Sequence, residues 1–87
     1  MQFSDTLYLI QLKYCSLFFI CKEIPFWSDS KNDWDMESIY LADATGIDSK
    51  LLYRFQKLPE PGEILELKTN KIINIKDLEN DIRNSSS

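Results

Sequence analysis

The sequence predicts an all-β fold organised around an antiparallel meander, and three features of the middle of the chain support this prediction. Residues 50–56 alternate between apolar and polar side chains, a pattern typical of a strand with one buried and one solvent-exposed face. Residues 59–62 hold two prolines and a glycine, which stop a strand and favour a turn. The flanking residues 38–44 and 63–68 are rich in β-branched, aromatic and other apolar side chains, so each is predicted to form a further strand.

The stretch before the meander, residues 7–21, is the most apolar part of the chain. Its aromatic and β-branched content favours one long bent strand or two shorter ones, and a helix over residues 7–14 is the alternative. Gln11, Lys13 and Ser16 interrupt the stretch, and its length falls short of a bilayer span. It also lacks the basic flank and small-residue cleavage site of a signal peptide. We therefore expect no membrane association.

Residues 25–37 join this stretch to the meander and are predicted to form a loop because they are rich in Pro, Ser, Asn and Asp. Trp27 and Trp34 both fall in this loop. A loop tryptophan can stack on a nucleic-acid base, or it can pack over the end of the fold. Packing is the favoured interpretation because four acidic residues lie nearby and would repel phosphate: Asp29, Asp33, Asp35 and Glu37.

The end of the chain completes the predicted domain. Residues 71–75 are predicted to form a fifth strand after a turn. An 87-residue chain forms one domain, which we place at residues 1–76, and residues 77–87 form a short helix or a disordered tail. With 44% hydrophobic residues the chain is too apolar to be disordered as a whole.

The charge distribution limits the classes of function. A net charge of −4 argues against a general nucleic-acid coat protein, which is normally basic. Residues 50–76 nevertheless hold six basic residues against three acidic ones, so positive charge is concentrated in the second half of the meander. An ordinary mixed surface explains the same distribution.

Several kinds of chemistry are absent from the sequence. The chain has no His, only two Gly and no phosphate-binding loop, so an enzyme, a metal site and a cofactor or small-molecule site are not expected. Asp43 is expected to accept hydrogen bonds in a turn rather than to act in catalysis. Cys15 and Cys21 are expected to be free thiols, which fits the nucleus or the cytoplasm.

Three phrases of the meander resemble OB-fold domains that bind single-stranded nucleic acid, such as replication protein A subunits and their small relatives at telomeres and in DNA repair. The phrases are Leu41-Ala-Asp-Ala-Thr-Gly46, the aromatic pair Tyr53 and Phe55, and Pro61-Gly-Glu-Ile-Leu-Glu-Leu67. They cover roughly a third of the chain. The resemblance implies a small five-stranded antiparallel OB-like barrel, and an SH3-like barrel is the alternative.

The resemblance also implies a function: a small OB-fold subunit of a complex that binds single-stranded DNA, or RNA, in replication, repair or telomere maintenance. Such grooves stack bases on aromatic side chains while cations contact the phosphates. The candidate residues are Tyr53 and Phe55 for stacking, Arg54, Lys68 and Lys71 for phosphate, and Trp27 as a further platform. Phe55 also fits a position in the core.

The alternative function is a protein–protein adaptor subunit with no nucleic-acid binding of its own. The acidic balance and the apolar N-terminal stretch favour it, because a barrel buries only one face of each strand. We therefore predict that the chain packs against other subunits rather than working as an isolated monomer. The predicted interface residues are Leu7, Leu9, Phe18, Phe19, Leu78 and Ile82. The opposing interpretation is that the N-terminal stretch covers the chain's own surface.

Overall fold

The computed structural model of the protein describes residues 6–78, which form mostly β structure with short helical segments. The strands are β1 (Tyr8–Gln11), β2 (Phe18–Cys21), β3 (Trp27–Ser28), β4 (Asp33–Trp34), β5 (Thr45–Gly46), β6 (Glu63–Glu66) and β7 (Lys71–Asn74). Helix α1 spans Met36–Leu41, and a 3-10 helix spans Ser49–Arg54. One antiparallel sheet has the strand order β5-β2-β1-β6-β7, and β3 and β4 form a separate hairpin.

An antiparallel sheet of five strands is confirmed, although its strands are not the five segments predicted, and the sheet does not close into the predicted barrel. The two edge strands, β5 and β7, do not pair with each other, so the sheet stays open. One physical reason is the length of β5, which contributes only two residues, Thr45 and Gly46, to the pairing with β2. A second difference from the predicted barrel is the separate β3–β4 sheet.

The N-terminal apolar stretch forms two strands, β1 and β2, rather than a helix. Its apolar residues do not alternate because both faces of β1 are buried: Leu9 and Ile10 are each fully buried. Ile10 belongs to the main core, together with Trp34 and Ile39. Leu9 lies opposite Leu65 of β6 on the other face of the sheet, and Leu65 is also fully buried. The second face of the sheet is therefore covered within the chain.

The strand predicted over residues 38–44 is wrong, because the chain forms helix α1 there. Asp35 caps the helix, since its carboxylate accepts a hydrogen bond from the Glu37 backbone N–H at 3.1 Å. The helix ends at Leu41 with Ala42 as its C-cap, and the next residue, Asp43, has a left-handed φ of 53°. The side chain of Asp43 pairs with the Lys22 ammonium at 2.7 Å. Asp43 thus lies in the turn that follows a helix, and not at the end of a strand.

The strand predicted over residues 50–56 is also wrong, because most of this segment lies in the 3-10 helix. Asp48 caps that helix by accepting a hydrogen bond from the Lys50 backbone N–H at 3.0 Å. Residues three apart lie on one face of a 3-10 helix. Accordingly, Leu52 and Phe55 are half-buried whereas Tyr53 is exposed. The inward-facing residues of this segment are therefore three positions apart, and not two apart as predicted.

The turn and strands predicted after residue 58 are confirmed. Gly62 adopts a φ of 91°, a conformation that side chains disfavour, and the chain then enters β6. β7 pairs with β6 in register, with Ile73 opposite Ile64. Residues 75–78 are helical, and the rest of the predicted C-terminal helix or tail lies outside the described residues. Within residues 6–78, no helix has both the length and the apolar character needed to cross a bilayer.

Candidate functional site

Tyr53 and Arg54, two predicted nucleic-acid contacts, are adjacent and accessible. The Tyr53 side chain is 79% exposed, and the Arg54 guanidinium carbon lies 6.0 Å from the centroid of its ring. This distance is at the limit of a cation–π contact. The 3-10 helix thus presents one aromatic ring and one permanent cation side by side to solvent.

The other predicted nucleic-acid contacts lie on other parts of the chain. Phe55 is half-buried, and Lys68 and Lys71 are exposed at the β6–β7 turn. Among the described residues, no hydrogen bond, ion pair or ring contact connects either lysine to Tyr53 or Arg54.

Trp27 is used mainly for packing. Its ring meets the Trp34 ring edge-on, with the centroids 5.3 Å apart and the planes at 87°. Its Cη2 atom lies 3.8 Å from the position that a Cβ on Gly62 would occupy. The indole thus connects the β3–β4 hairpin to the Pro-Gly turn. Trp27 also lines an open cleft of about 400 Å³ together with Lys13 and Lys76.

The predicted interface residues are largely taken up by the chain's own packing. Leu9 is fully buried, so it presents no surface to a partner. Leu7 and Phe18 are half-buried. Phe19 and Leu78 are partly buried against the main core. Ile82 lies outside the described residues.

A different apolar surface is exposed at helix α1. We call it the α1 surface, and it consists of Phe26, Met36, Tyr40 and Leu41, whose side chains are 76%, 55%, 84% and 73% exposed. Successive helical residues are rotated by about 100°, so Met36, Tyr40 and Leu41 span an arc of about 140°. The opposite side of the helix carries Ser38 and Ile39, which are buried.

Backbone contacts hold Phe26 beside this helix. Its N–H donates to Ser38 Oγ at 2.9 Å, and its carbonyl accepts from the Asp35 N–H at 2.9 Å. Ser38 Oγ also donates to the Asp35 carbonyl at 2.8 Å. Because Ser38 is buried, these bonds fix the Phe26 backbone against the first turn while the ring stays in solvent.

The charge around the α1 surface is acidic. Glu37 is exposed on the same arc of the helix, between Met36 and Leu41 in rotation. Residues 22–48 contain seven acidic side chains and two basic ones, Lys22 and Lys31; of the acidic residues, Asp33 is buried and Asp43 pairs with Lys22. The surface thus combines exposed apolar groups with a negative surround.

Asp33 anchors the hairpin next to this surface. Its carboxylate accepts hydrogen bonds from the backbone N–H groups of Lys13, Tyr14 and Trp34, at 2.9, 3.2 and 2.8 Å. The side chain is 5% exposed. It therefore ties the β1–β2 turn to the β3–β4 hairpin and fixes the position from which α1 starts.

The sequence interpretation missed the α1 surface, although a signal was present. Asp35 is a strong N-cap residue, and Met36, Ile39 and Tyr40 follow at helical spacing. A six-residue helix is too short to show more than one turn and a half of this pattern. The aromatic content of residues 38–44 favoured a strand instead.

Comparison with known proteins gives no match: no family model, curated protein or solved structure is significantly similar to this chain. Within the described part of the chain, no three His, Cys, Asp or Glu side chains converge as metal ligands.

Proposed function

We propose that the protein is an adaptor subunit that binds another protein through the α1 surface. The observation that carries this proposal is the exposure of Phe26, Met36, Tyr40 and Leu41 on and beside one short helix. Exposed apolar side chains that cluster on a small domain usually mark an interaction site. Aromatic residues and Met are also the types enriched at the centres of protein interfaces.

The acidic surround defines the chemistry of the partner. We infer an apolar surface bordered by Lys or Arg, because such a partner would pair with Glu37 and its acidic neighbours. A second copy of this chain is disfavoured, since two α1 surfaces in contact would bring like charges together. The partner is therefore a different protein.

Two tyrosines give a matched test of this proposal. Tyr40 on the α1 surface and Tyr53 on the 3-10 helix are 84% and 79% exposed, so neither supports the fold by burial. Partners would be recovered from cells of the source organism with the tagged wild-type chain and with its Tyr40→Ser and Tyr53→Ser variants. Each partner would then be purified and its affinity measured by calorimetry.

The proposal predicts that Tyr40→Ser weakens the complex about tenfold or more, the range of an interface hot spot, while Tyr53→Ser leaves it unchanged. The affinity should also fall as salt is raised, because the charges at the rim are screened. Equal affinities for the wild type and Tyr40→Ser would refute the α1 surface as the docking site.

A second candidate function is binding of single-stranded DNA, or RNA, as in the OB-fold subunits that the sequence resembles. The observation favouring it is the exposed pair of Tyr53 and Arg54, with Lys50 and Lys57 also exposed on the same segment. An aromatic ring beside a cation is the basic unit of single-strand binding.

Titration with a single-stranded oligonucleotide tests this candidate. Binding that weakens as salt is raised, and that is lost in the double variant Tyr53→Ala/Arg54→Ala, would support it. The same oligonucleotide should bind Tyr40→Ser normally. No binding at tens of micromolar protein would leave the adaptor proposal as the only candidate. Cys15 and Cys21 are free thiols, which supports placing either function in the nucleus or the cytoplasm.

A further inference from the structure

A second feature of the molecule adjoins the α1 surface. An open cleft of about 420 Å³ lies between the β1–β2 turn and the β3–β4 hairpin, and Met36 of the α1 surface forms part of its lining. The turn contributes Leu12 and Tyr14, and the hairpin contributes Lys31 and Trp34. A cavity of roughly 150 Å³ already accepts a benzene ring. The cleft is thus large enough for an aromatic or large aliphatic side chain.

Hydrogen bonds within the chain hold part of the backbone around this cleft in place. The Asp33 carboxylate binds both the turn and the hairpin through three backbone N–H groups. These bonds engage both carboxylate oxygens of Asp33, which is nearly fully buried and so presents almost no surface to a ligand. A rigid, preformed cleft loses little conformational entropy when it is filled.

Trp34, one of the residues that line the cleft, has a buried hydrogen-bond donor without a partner. The side chain is 1% exposed, and its Nε1–H has no hydrogen-bond partner. A buried polar group without a partner is uncommon in folded proteins. A ligand with a hydrogen-bond acceptor beside its apolar group could supply the missing partner after a small movement of the indole.

The charge at the mouth of the cleft specifies the acceptor. Lys13 and Lys31 are exposed and, with Tyr14, line a hollow that adjoins the cleft. Two ammonium groups at the rim favour a carboxylate over a cation. The basic rim of the cleft thus contrasts with the acidic surround of the α1 surface.

We propose that the cleft receives an apolar side chain of the protein partner, with an acidic residue next to it in the partner's sequence. This inference rests on the proposed adaptor function and adds to it the chemistry of the anchoring residue. The partner then contacts the α1 surface with its basic rim and the cleft with its acidic, apolar anchor. Met36 joins the two contacts.

Small probes test the cleft without the partner. The isotopically labelled full chain would be titrated with phenylacetate, and with benzylamine as the probe that replaces the carboxylate by an ammonium group. The Trp34 indole N–H resonance, assigned with Trp34→Phe, reports on the floor of the cleft. We expect phenylacetate to shift this resonance and to bind about two- to fivefold more tightly than benzylamine, the effect of an exposed ion pair.

Two variants and their controls complete the design. Ser30→Trp places a large side chain at the cleft and should abolish the shift, whereas Gln56→Trp, on a different exposed segment, should not. Lys31→Glu should remove the preference for phenylacetate, whereas Lys57→Glu should keep it. Lys31→Glu alters an exposed residue, so the preference remains testable if Ser30→Trp does not fold.

The outcomes separate this inference from the adaptor proposal. If neither probe moves the Trp34 resonance, or if both bind equally, the acidic-anchor inference is overturned while the Tyr40 comparison still stands. If the probes bind as expected but Tyr40→Ser keeps full affinity for the partner, the proposal that the α1 surface is the docking site is refuted instead. If Ser30→Trp does not weaken the affinity for the partner, the inference is also overturned.

Discussion

Replacing Asp33 by Asn tests whether one buried carboxylate holds the hairpin and the candidate surface in place. In the wild type its two oxygens accept three backbone N–H bonds, from Lys13, Tyr14 and Trp34. In Asp33→Asn the amide oxygen keeps some of these bonds. The amide NH₂ group cannot accept the bond that remains, and the charge that strengthened all three is lost.

The size of the effect follows from these contacts. A hydrogen bond to a charged group contributes about 1.5–3 kcal/mol, and water replaces part of this at exposed positions such as Lys13 and Tyr14. We therefore expect Asp33→Asn to lower the free energy of unfolding by about 1–2 kcal/mol, and Asp33→Ala by about 2–4 kcal/mol. A small domain has on the order of 5 kcal/mol of stability, so the Asn variant is the safer one to measure.

Urea denaturation followed by tryptophan fluorescence measures this loss. The matched control is Asp29→Asn, which removes the same charge at an exposed position of the same hairpin. We expect the control to change stability by less than about 0.5 kcal/mol. If Asp33→Asn and Asp29→Asn prove equally stable, the three hydrogen bonds do not support the hairpin in the way we describe.

Three further predictions test other parts of the structure. Gly62→Ala should lower the free energy of unfolding, measured by urea denaturation, by about 1–2 kcal/mol because Gly62 has a φ of 91°. Gly46→Ala should lower it less, since its Cβ would lie 3.6 Å from the Phe19 ring, and the reverse order would contradict the turn geometry. Burial raises the pKa of Cys21 from 9.0 to about 11, so the folded state holds more protons in this range. The free energy of unfolding should therefore fall as pH rises from 9.0 to about 11, and it should fall less in Cys21→Ala; an equal fall in the two proteins would refute the burial of Cys21. The exposed Cys15, by contrast, should react with a thiol reagent in the folded protein. Asp43→Asn should change stability by less than about 0.5 kcal/mol, because its ion pair with Lys22 is exposed and Asn tolerates positive φ. Asp43→Val should cost more in the same assay, because a β-branched residue is strained at that φ.

The parts of the fold that the sequence predicted correctly depend on strong local signals. The Pro-Gly turn before β6 and the apolar runs of β6 and β7 are clear patterns. The N-terminal hairpin was also within reach, because its aromatic and β-branched content favours strands. These elements supply four of the five strands of the antiparallel sheet, and the fifth, β5, was not predicted.

The incorrect elements share one cause: short apolar segments fit helix and strand patterns equally well. In residues 38–44 the Asp35 cap and the burial of Ile39 favour a helix over strand propensity. In residues 50–56 Leu52 and Phe55 turn inward together, a preference that depends on what the segment packs against. Tertiary contacts of this kind are not visible in a single sequence.

The candidate site was less predictable than the fold. Tyr53 and Arg54 were identified from the sequence, and the structure places them together in solvent. The α1 surface was not identified from the sequence, because the exposure of Phe26 and Tyr40 depends on how the hairpin and the sheet pack around them. The role of Asp33 also depends on a contact between residues 20 positions apart.

The central claim is that the protein binds a protein partner through the α1 surface. Its most direct test is nuclear magnetic resonance mapping on the full chain, first with the partner recovered in the tyrosine comparison and then with a single-stranded oligonucleotide. We expect the partner to shift the signals of Phe26, Met36 and Tyr40, and to leave the signals of Tyr53 and Arg54 unchanged. If the partner leaves the α1 surface unshifted, while the oligonucleotide at low salt shifts Tyr53 and Arg54, the claim is contradicted.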